Sequence, residues 1–535
     1  MFVLLVKKVK FLFADYYFAG VLLLCIALLI YKYPFLHLPY VFDELWVYGP
    51  CVREMGINGP SLLPNALEVG YYRAHPLMFF FLGGIWTTFF GTTVFSTHIF
   101  ASLISLMLLL TLFFVCKKIF TNKVGFFAVL ILSFQSIFLS QFALVLPEIL
   151  VVLFSVLAVY FYIRKIDWAY LLFGSLLVLT KESGVIVILS IVIWNVIDYL
   201  KSTKKENFNS YKFLKINFFL SLPIVCLLIH FLLLKYYFGW FFFPEHISEF
   251  NFNWEDFSWR IRKTLNYIFV DNGRQPILIA LISIAILFNQ KISIKYRLFI
   301  LLLFFSLTKI FFRYWKTFDI IEIYIVPIVF IFVIRYIFWE EKQMNKFQQK
   351  FIGFSLIFSI LYSLFSSSYF DNLRYLFYIL PFFIIVSCYY VSTLTYFKNI
   401  SIIIFTFICI GFSMFFTFQD KDYGDVNLSY GDVAIMYSRT IDYLEEREFY
   451  DYPIKTPFLF KHALTRPLSS YLKSKRIFTN FLDNKNMDNC TQCLFLFTNV
   501  ESKSPIYEEV KNNSNYELIQ SFQVGDAWSE IYQKK

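Results

Sequence analysis

Apolar runs of about 20 residues recur along this chain, and they limit its fold more than any other feature. A helix of that length crosses the roughly 30 Å hydrocarbon core of a bilayer. The first run extends from about Phe13 to Tyr31, behind Lys7, Lys8 and Lys10. Further runs centre near residues 105, 133, 157, 174, 191, 225, 282, 303, 329, 359, 385 and 408. With 59% hydrophobic residues, the chain carries more apolar surface than a soluble protein can hide. The expectation is an all-α polytopic membrane protein of about 13 transmembrane helices.

Charge placement sets a register for these spans. Lys117/Lys118/Lys123, Arg164/Lys165, Lys201/Lys204/Lys205, Lys291/Lys295/Arg297, Lys342/Lys346/Lys350 and Lys398 fall in alternate loops, which the positive-inside rule makes cytoplasmic. No small-residue cleavage site follows the first run, so it reads as an uncleaved anchor with a cytoplasmic N-terminus. The other loops then face outward, including a long first one at about residues 33–93 and the segment Val145 to Glu148. The net charge of +11 is a topological and head-group charge. No basic soluble segment of domain size exists, which argues against nucleic acid.

From about Gln419 the charges rise and no spanning run remains. Residues 1–418 read as a membrane domain and residues 419–535 as a small α/β domain on the outer side. Within it, Tyr430 to Arg447 has helical spacing, and Cys493 to Val500 and Ser521 to Tyr532 read as strands. Cys490-Thr-Gln-Cys493 is a weak zinc signal alone. A local disulfide in an oxidising compartment and two free thiols are the readings weighed.

Ionisable residues at the outer ends of spans mark sites or water-filled cavities. The stretch "VFDELWVYGP" places Asp43 and Glu44 directly after the first span. Downstream come "YYRAHPLMFFFLGGIWTTFFG" with His75, then Pro147-Glu148, "GSLLVLTKESG" with Lys181, and "RYLFYILP" beginning at Arg374. Arg313 and Lys316 in "FFRYWKTFD" stand at an outer end, against the topological rule. Each residue also has a plain structural reading. A loop acid can be solvated, Glu148 can favour a helix start, and Arg313 and Lys316 can snorkel to the interface. Arg260, Arg262 and Lys263 read as a solvated helix face or a closing loop. Lys181 is either a phosphate contact or a partner of Glu182.

In this order the segments resemble the GT-C superfamily of integral membrane glycosyltransferases. Within it they are most similar to the protein O-mannosyltransferases and the aminoarabinose-to-lipid-A transferases. Two departures stand out. Leu77 follows Pro76 where the family carries a second proline, and the acid of the second outer loop is Glu148 rather than Asp. The resemblance implies a sugar donor on a polyprenyl phosphate and makes Asp43 the catalytic base. It places His75 and Arg374 near the donor phosphate; Arg313 and Lys316 are further phosphate candidates because they stand at an outer end against the topological rule. Glu44 would position the acceptor or cap the following helix. Glu148 would orient the acceptor or hold a water or cation.

The chemistry agrees with these residue types. The donor already carries its leaving group. The enzyme must take a proton from the acceptor and stabilise charge on the departing phosphate. An arginine fork grips two phosphate oxygens at once. The expected activity is inverting transfer on the outer face of a bacterial inner membrane. Turnover is expected without a cofactor, a divalent cation at Asp43, Glu44 and Glu148 being the other choice. Lipid A, another glycan, a teichoic-type polymer and a protein hydroxyl all remain open as acceptors. The rival activities are a polyprenyl-diphosphate-dependent polymerase or ligase and a transporter of lipid-linked sugars. A transporter would show internal repeats and mid-membrane charges; the sequence shows neither.

Overall fold

Asp15 opens the first helix, α1 (Tyr16–Lys32), by accepting a hydrogen bond from the Phe18 amide at 3.4 Å. Its other oxygen accepts from Lys117 at 2.7 Å and Asn122 at 2.6 Å, tying this helix start to the turn after the next long helix. The structure is a computed structural model. It describes residues 15–202, 209–249, 253–269, 271–274, 276–277, 344–369, 372–393, 400–419, 423–474, 476–482, 490, 492–501 and 504–535.

A short π-helix at Glu44–Tyr48 runs into α2 (Gly49–Asn58), which packs on α3 (Met78–Phe90). Gly84 permits this packing: a Cβ there would meet the Met55 Cγ at 2.5 Å. The close approach of α2 and α3 makes the first outer segment a folded unit. Then follow α4 (Val94–Ile119), α5 (Asn122–Ser133), α6 (Glu148–Arg164), α7 (Asp167–Thr180) and α8 (Gly184–Ser202). A bent pair comes next, α9 (Ser210–Ser221) and α10 (Pro223–Phe238), meeting at 50°. Pro223 at the break has no amide hydrogen to continue the helical ladder. The remaining membrane-domain helices are α11 (Trp254–Phe269), α12 (Lys346–Tyr369), α13 (Leu380–Ser392) and α14 (Ile400–Gln419).

Six helical segments among the described residues are long and apolar enough to cross a membrane, or seven with the bent pair as one span. That is fewer than the 13 expected from the apolar runs. The runs near 282, 303 and 329 lie outside the described residues. Those near 133, 157 and 174 form helices of 12, 17 and 14 residues. At about 1.5 Å per residue, they are shorter than the hydrocarbon core is thick.

Beyond α14 lies the C-terminal region that contains the sheet. Helix α15 (Tyr430–Glu446) packs on a four-stranded sheet of order β1-β2-β4-β3. The strands are β1 (Ile454–Lys455), β2 (Leu494–Thr498), β3 (Tyr516–Val524) and β4 (Ala527–Lys534). β1 runs parallel to β2, and the other pairings are antiparallel. The single strand expected at Ser521 to Tyr532 is instead a hairpin. It turns at Gly525, whose φ of 59° lies in the left-handed region. Cys490 and Cys493 are joined by a disulfide.

Candidate active site

Asp43 follows Phe42, held in the left-handed region at φ 50°, and precedes the π-helix. Such backbone outliers concentrate where geometry serves function. The Trp46 indole donates to Asp43 Oδ1 at 2.9 Å, and Arg374 Nη2 reaches Asp43 Oδ2 at 2.5 Å. Arg374 lies in a 3-10 turn, Leu373–Tyr378, whose start is fixed by the Asn372 side chain accepting from the Arg374 amide at 3.1 Å. The rest of its fork faces carboxylates too, although Nε makes no hydrogen bond among the described residues. Nη1 donates to Asp425 Oδ2 at 2.5 Å, and Nε lies 3.1 Å from Glu148 Oε1. Lys181 donates to the same Glu148 oxygen at 2.8 Å, and its ammonium sits 3.9 Å from the centroid of the Tyr375 ring. Glu148 Oε2 has no hydrogen-bond partner among the described residues.

Two cations thus face three carboxylates. Burial pushes the Asp43 carboxyl up, but the Arg374 charge and the Trp46 hydrogen bond outweigh it and hold the group below its usual value. Asp425 goes the other way. Burial raises it and the charges of Asp43 and Glu148 add to that rise, against the pull of Arg374.

A second cluster faces this one. Arg73 and Ala74 are consecutive left-handed residues, φ 55° and 58°. The reversal presents His75, whose Nδ1 is 3.1 Å from both Glu182 carboxylate oxygens. The turn is pinned from below, where His230 Nε2 donates to the Ala74 carbonyl at 3.2 Å. Burial raises the Glu182 carboxyl, yet the charge and hydrogen bond of His75 bring it down to about 2. Arg73 Nε donates to His246 Nε2 at 3.2 Å. Burial, then the charges of His75 and Arg73, lower the His246 imidazole to about 4.

The two clusters bound a cavity of about 670 Å³. Asp43, Arg73, His75, Lys181, Glu182 and Arg374 form its charged wall, and Phe231, Leu234, Phe241, Phe242, Phe243 and Phe365 its apolar one. Such a space suits an amphiphile with an anionic head and a hydrocarbon tail. Helix α16 (Phe458–Thr465) of the C-terminal region packs against Trp46, one of the lining residues. His462 stacks on Trp46 with centroids 5.8 Å apart. Arg466 donates to the Trp46 carbonyl and lies 3.5 Å from the centroid of the Tyr71 ring.

Residues 74–230 match the family described as dolichyl-phosphate-mannose-protein mannosyltransferase. The whole architecture is similar to ArnT from Cupriavidus metallidurans. Against its structure bound to undecaprenyl phosphate, the TM-score is 0.50 at 12% identity, covering 97% of this chain and 98% of that one. Against its apo structure, the TM-score is 0.51 at 12% identity, covering 96% and 97%. Both comparisons show a shared fold along nearly the whole of each chain. No curated protein matches the chain in sequence.

Within this fold, Asp43, His75 and Arg374 line the cavity, and Glu148 stands behind Arg374. Glu44 does not line it. Neighbouring residues on a helical turn face different sides. Glu44 turns inward at 1% exposure, where it meets His98 Nε2 at 2.9 Å and accepts from the Val145 amide at 2.6 Å. It joins the first outer segment to α4 and to the segment before α6. Arg313 and Lys316 lie outside the described residues. Arg260, Arg262 and Lys263 sit on α11, off the cavity wall. Lys181 pairs with Glu148, and Glu182 pairs with His75 rather than with Lys181. Among the described residues, no three His, Cys, Asp or Glu side chains converge as a metal site.

Sequence reasoning missed Arg73, Asp425 and His246. Arg73 stood in the quoted stretch two residues before His75, but only the left-handed pair turns both into one wall. Asp425 carried no local signal.

Proposed function

We propose that this chain is an inverting glycosyltransferase that moves a sugar from a polyprenyl phosphate to an acceptor at the outer face of a bacterial inner membrane. The position of Asp43 carries this reading. Its carboxylate stands at the cavity wall, oriented by Trp46 and Arg374 and held ionised, in a cavity that Arg73 and His75 also line. The family match over residues 74–230 supports the donor class. So does the undecaprenyl phosphate named for the ArnT structure.

In the proposed step, an acceptor hydroxyl or amine attacks the anomeric carbon from the face opposite the phosphate. The bond from that carbon to the phosphate oxygen breaks, and its electron pair leaves with the phosphate. The acceptor proton passes to Asp43. The products are the glycosylated acceptor and the free polyprenyl phosphate. Arg73 and Lys181 offer positive charge, and His75 a hydrogen-bonding ring, where the leaving phosphate gains negative charge. Arg374 is less open to phosphate than its residue type suggests, because three carboxylates already occupy its fork. The apolar wall takes the first isoprene units.

Turnover proceeds without a metal in this reading, since Asp43, Glu148 and Asp425 each already pair with a side-chain cation. Full activity in EDTA is the expected result; loss restored by a divalent ion would reverse it.

The deciding experiment presents purified protein in lipid with labelled undecaprenyl-phosphate sugars and membrane extract. Transfer by wild type and none by Asp43→Asn supports the reading. Transfer only from diphosphate donors would replace it with a polymerase or ligase.

A further inference from the structure

Asp425 belongs to neither the membrane helices nor the outer sheet. It lies in the segment joining α14 to α15, and its side chain is only 13% exposed. The Ser140 hydroxyl donates to its backbone carbonyl at 3.0 Å, fixing this segment against the membrane domain. Its carboxylate then takes one edge of the Arg374 fork at 2.5 Å, while Asp43 takes another at the same distance. The guanidinium is 1% exposed, so water does little to screen either contact.

A carboxylate that must accept a proton is poorly served by an arginine of its own. An unshared guanidinium lowers its proton affinity and leaves it a weak base. Dividing the guanidinium between carboxylates limits that lowering while keeping the orientation that the hydrogen bond supplies. We propose that Asp425 is a positioning residue for the transfer: by sharing Arg374, it leaves Asp43 basic enough to receive the acceptor proton. This rests on the reading of Asp43 as the base. Asp43 meets Arg374, Asp425 and, at longer range, Lys181 and Tyr48; Asp425 meets Arg374, Asp43, Glu148 and, at longer range, Tyr267; the Tyr375 hydroxyl accepts from Arg374 Nη2 at 3.4 Å. The direction in which Asp425 is displaced, upward by burial and then by Asp43 and Glu148, agrees with like charges crowding one cation.

The device also links the outer domain to the chemistry. Asp425 is carried by the connection between the last membrane helix and that domain. A shift of the domain therefore changes the charge that Arg374 presents to Asp43.

The test is the pH profile of kcat/KM for full-length protein in lipid. Asp425→Asn removes the charge and keeps the shape. Its acid limb should move about one pH unit lower, because Asp43 titrates against a less shared arginine. The plateau rate should fall roughly threefold to tenfold as the base weakens, with the donor KM little changed. Asp425→Glu should return the limb to its wild-type position. An unmoved limb in a folded Asp425→Asn protein overturns the proposal, as does a rate loss that Asp425→Glu fails to restore. If Asp425→Asn does not fold, Ser140→Ala takes its place: a smaller downward shift supports the proposal, and no shift overturns it. Infrared titration of the Asp43 carboxyl, assigned by difference against Asp43→Asn, needs no turnover. It separates the two readings: absent transfer by wild type overturns the proposed function, whereas an unmoved Asp43 titration in Asp425→Asn overturns only the role of Asp425.

Discussion

The Asp43 carboxylate and the Arg374 guanidinium meet at 2.5 Å, joining the first outer segment to the turn that precedes α13. The first expectation concerns the acid side of this pair. Asp43→Asn keeps the shape and the Trp46 contact but cannot take a proton. Transfer should fall by about 10²–10⁴-fold, with the unfolding midpoint near wild type. Rate assays and thermal unfolding on the same preparation check both parts.

The arginine side behaves differently. Arg374→Ala strands Asp43, Glu148 and Asp425 with one remaining close cation, Lys181, on Glu148. Breaking a buried ion pair by removing one partner costs about 3–5 kcal/mol. The variant should therefore lose stability as well as activity. Arg374→Lys should recover part of the stability, while its single ammonium cannot bridge three carboxylates. Denaturant titration in detergent measures both.

Glu44 should affect folding rather than chemistry. Glu44→Ala leaves the Val145 amide and His98 without their carboxylate, at a cost of about 3 kcal/mol. Glu44→Gln still offers an acceptor to the Val145 amide and should cost less. The folded fraction of each should keep a near-normal kcat. A selective loss of kcat with normal stability would put Glu44 in the reaction instead.

Arg466 fastens the outer domain to the Asp43 segment through the Trp46 carbonyl and the Tyr71 ring. Arg466→Ala removes a charge-assisted hydrogen bond and a cation–π contact, together worth about 2–4 kcal/mol. Limited proteolysis of the connection between the two domains should become several-fold faster. An unchanged cleavage rate would show that the other contacts, from Arg53 to Leu468 and Ser470 and from Tyr471 to the Tyr40 carbonyl, hold the domain without Arg466.

Acid should weaken the fold in two windows. The His462 imidazole, lowered by burial and then by Arg466 and Lys461, titrates near 4 against 6.5 when unfolded. His246 behaves alike. Both groups favour the folded state above pH 6.5, and that contribution is lost as pH falls toward about 4. Glu182 drops from 4.5 to about 2, so its contribution stands above pH 4.5 and is lost as pH falls toward about 2. Unfolding midpoints against pH should show both declines. His462→Gln should flatten the upper one and Glu182→Gln the lower.

Much of the membrane domain was legible in the sequence because hydrocarbon imposes one rule on every residue it touches. Each of the ten expected runs that falls among the described residues forms helix, from α1 to α14. Their lengths were less legible. A run such as Asp167–Thr180 is apolar enough for lipid but is broken by the turn that presents Lys181 and Glu182, and composition does not reveal a turn. The hairpin at Gly525 escaped for the same reason, since both its strands carry a continuous β pattern.

The site divides in the same way. Asp43, His75 and Arg374 could be singled out because a charge at the outer end of an apolar run is expensive, and that expense is visible locally. Sequence by itself therefore determined that this is a helical membrane protein with charges set at the ends of its apolar runs. It could not say which charge meets which. Only the tertiary structure turned Glu44 inward, paired Glu182 with His75, and brought Asp425 from beyond the last span onto Arg374. Those choices depend on ångström-scale distances between segments far apart in the chain, and electrostatic pairing in a buried site is decided at that scale.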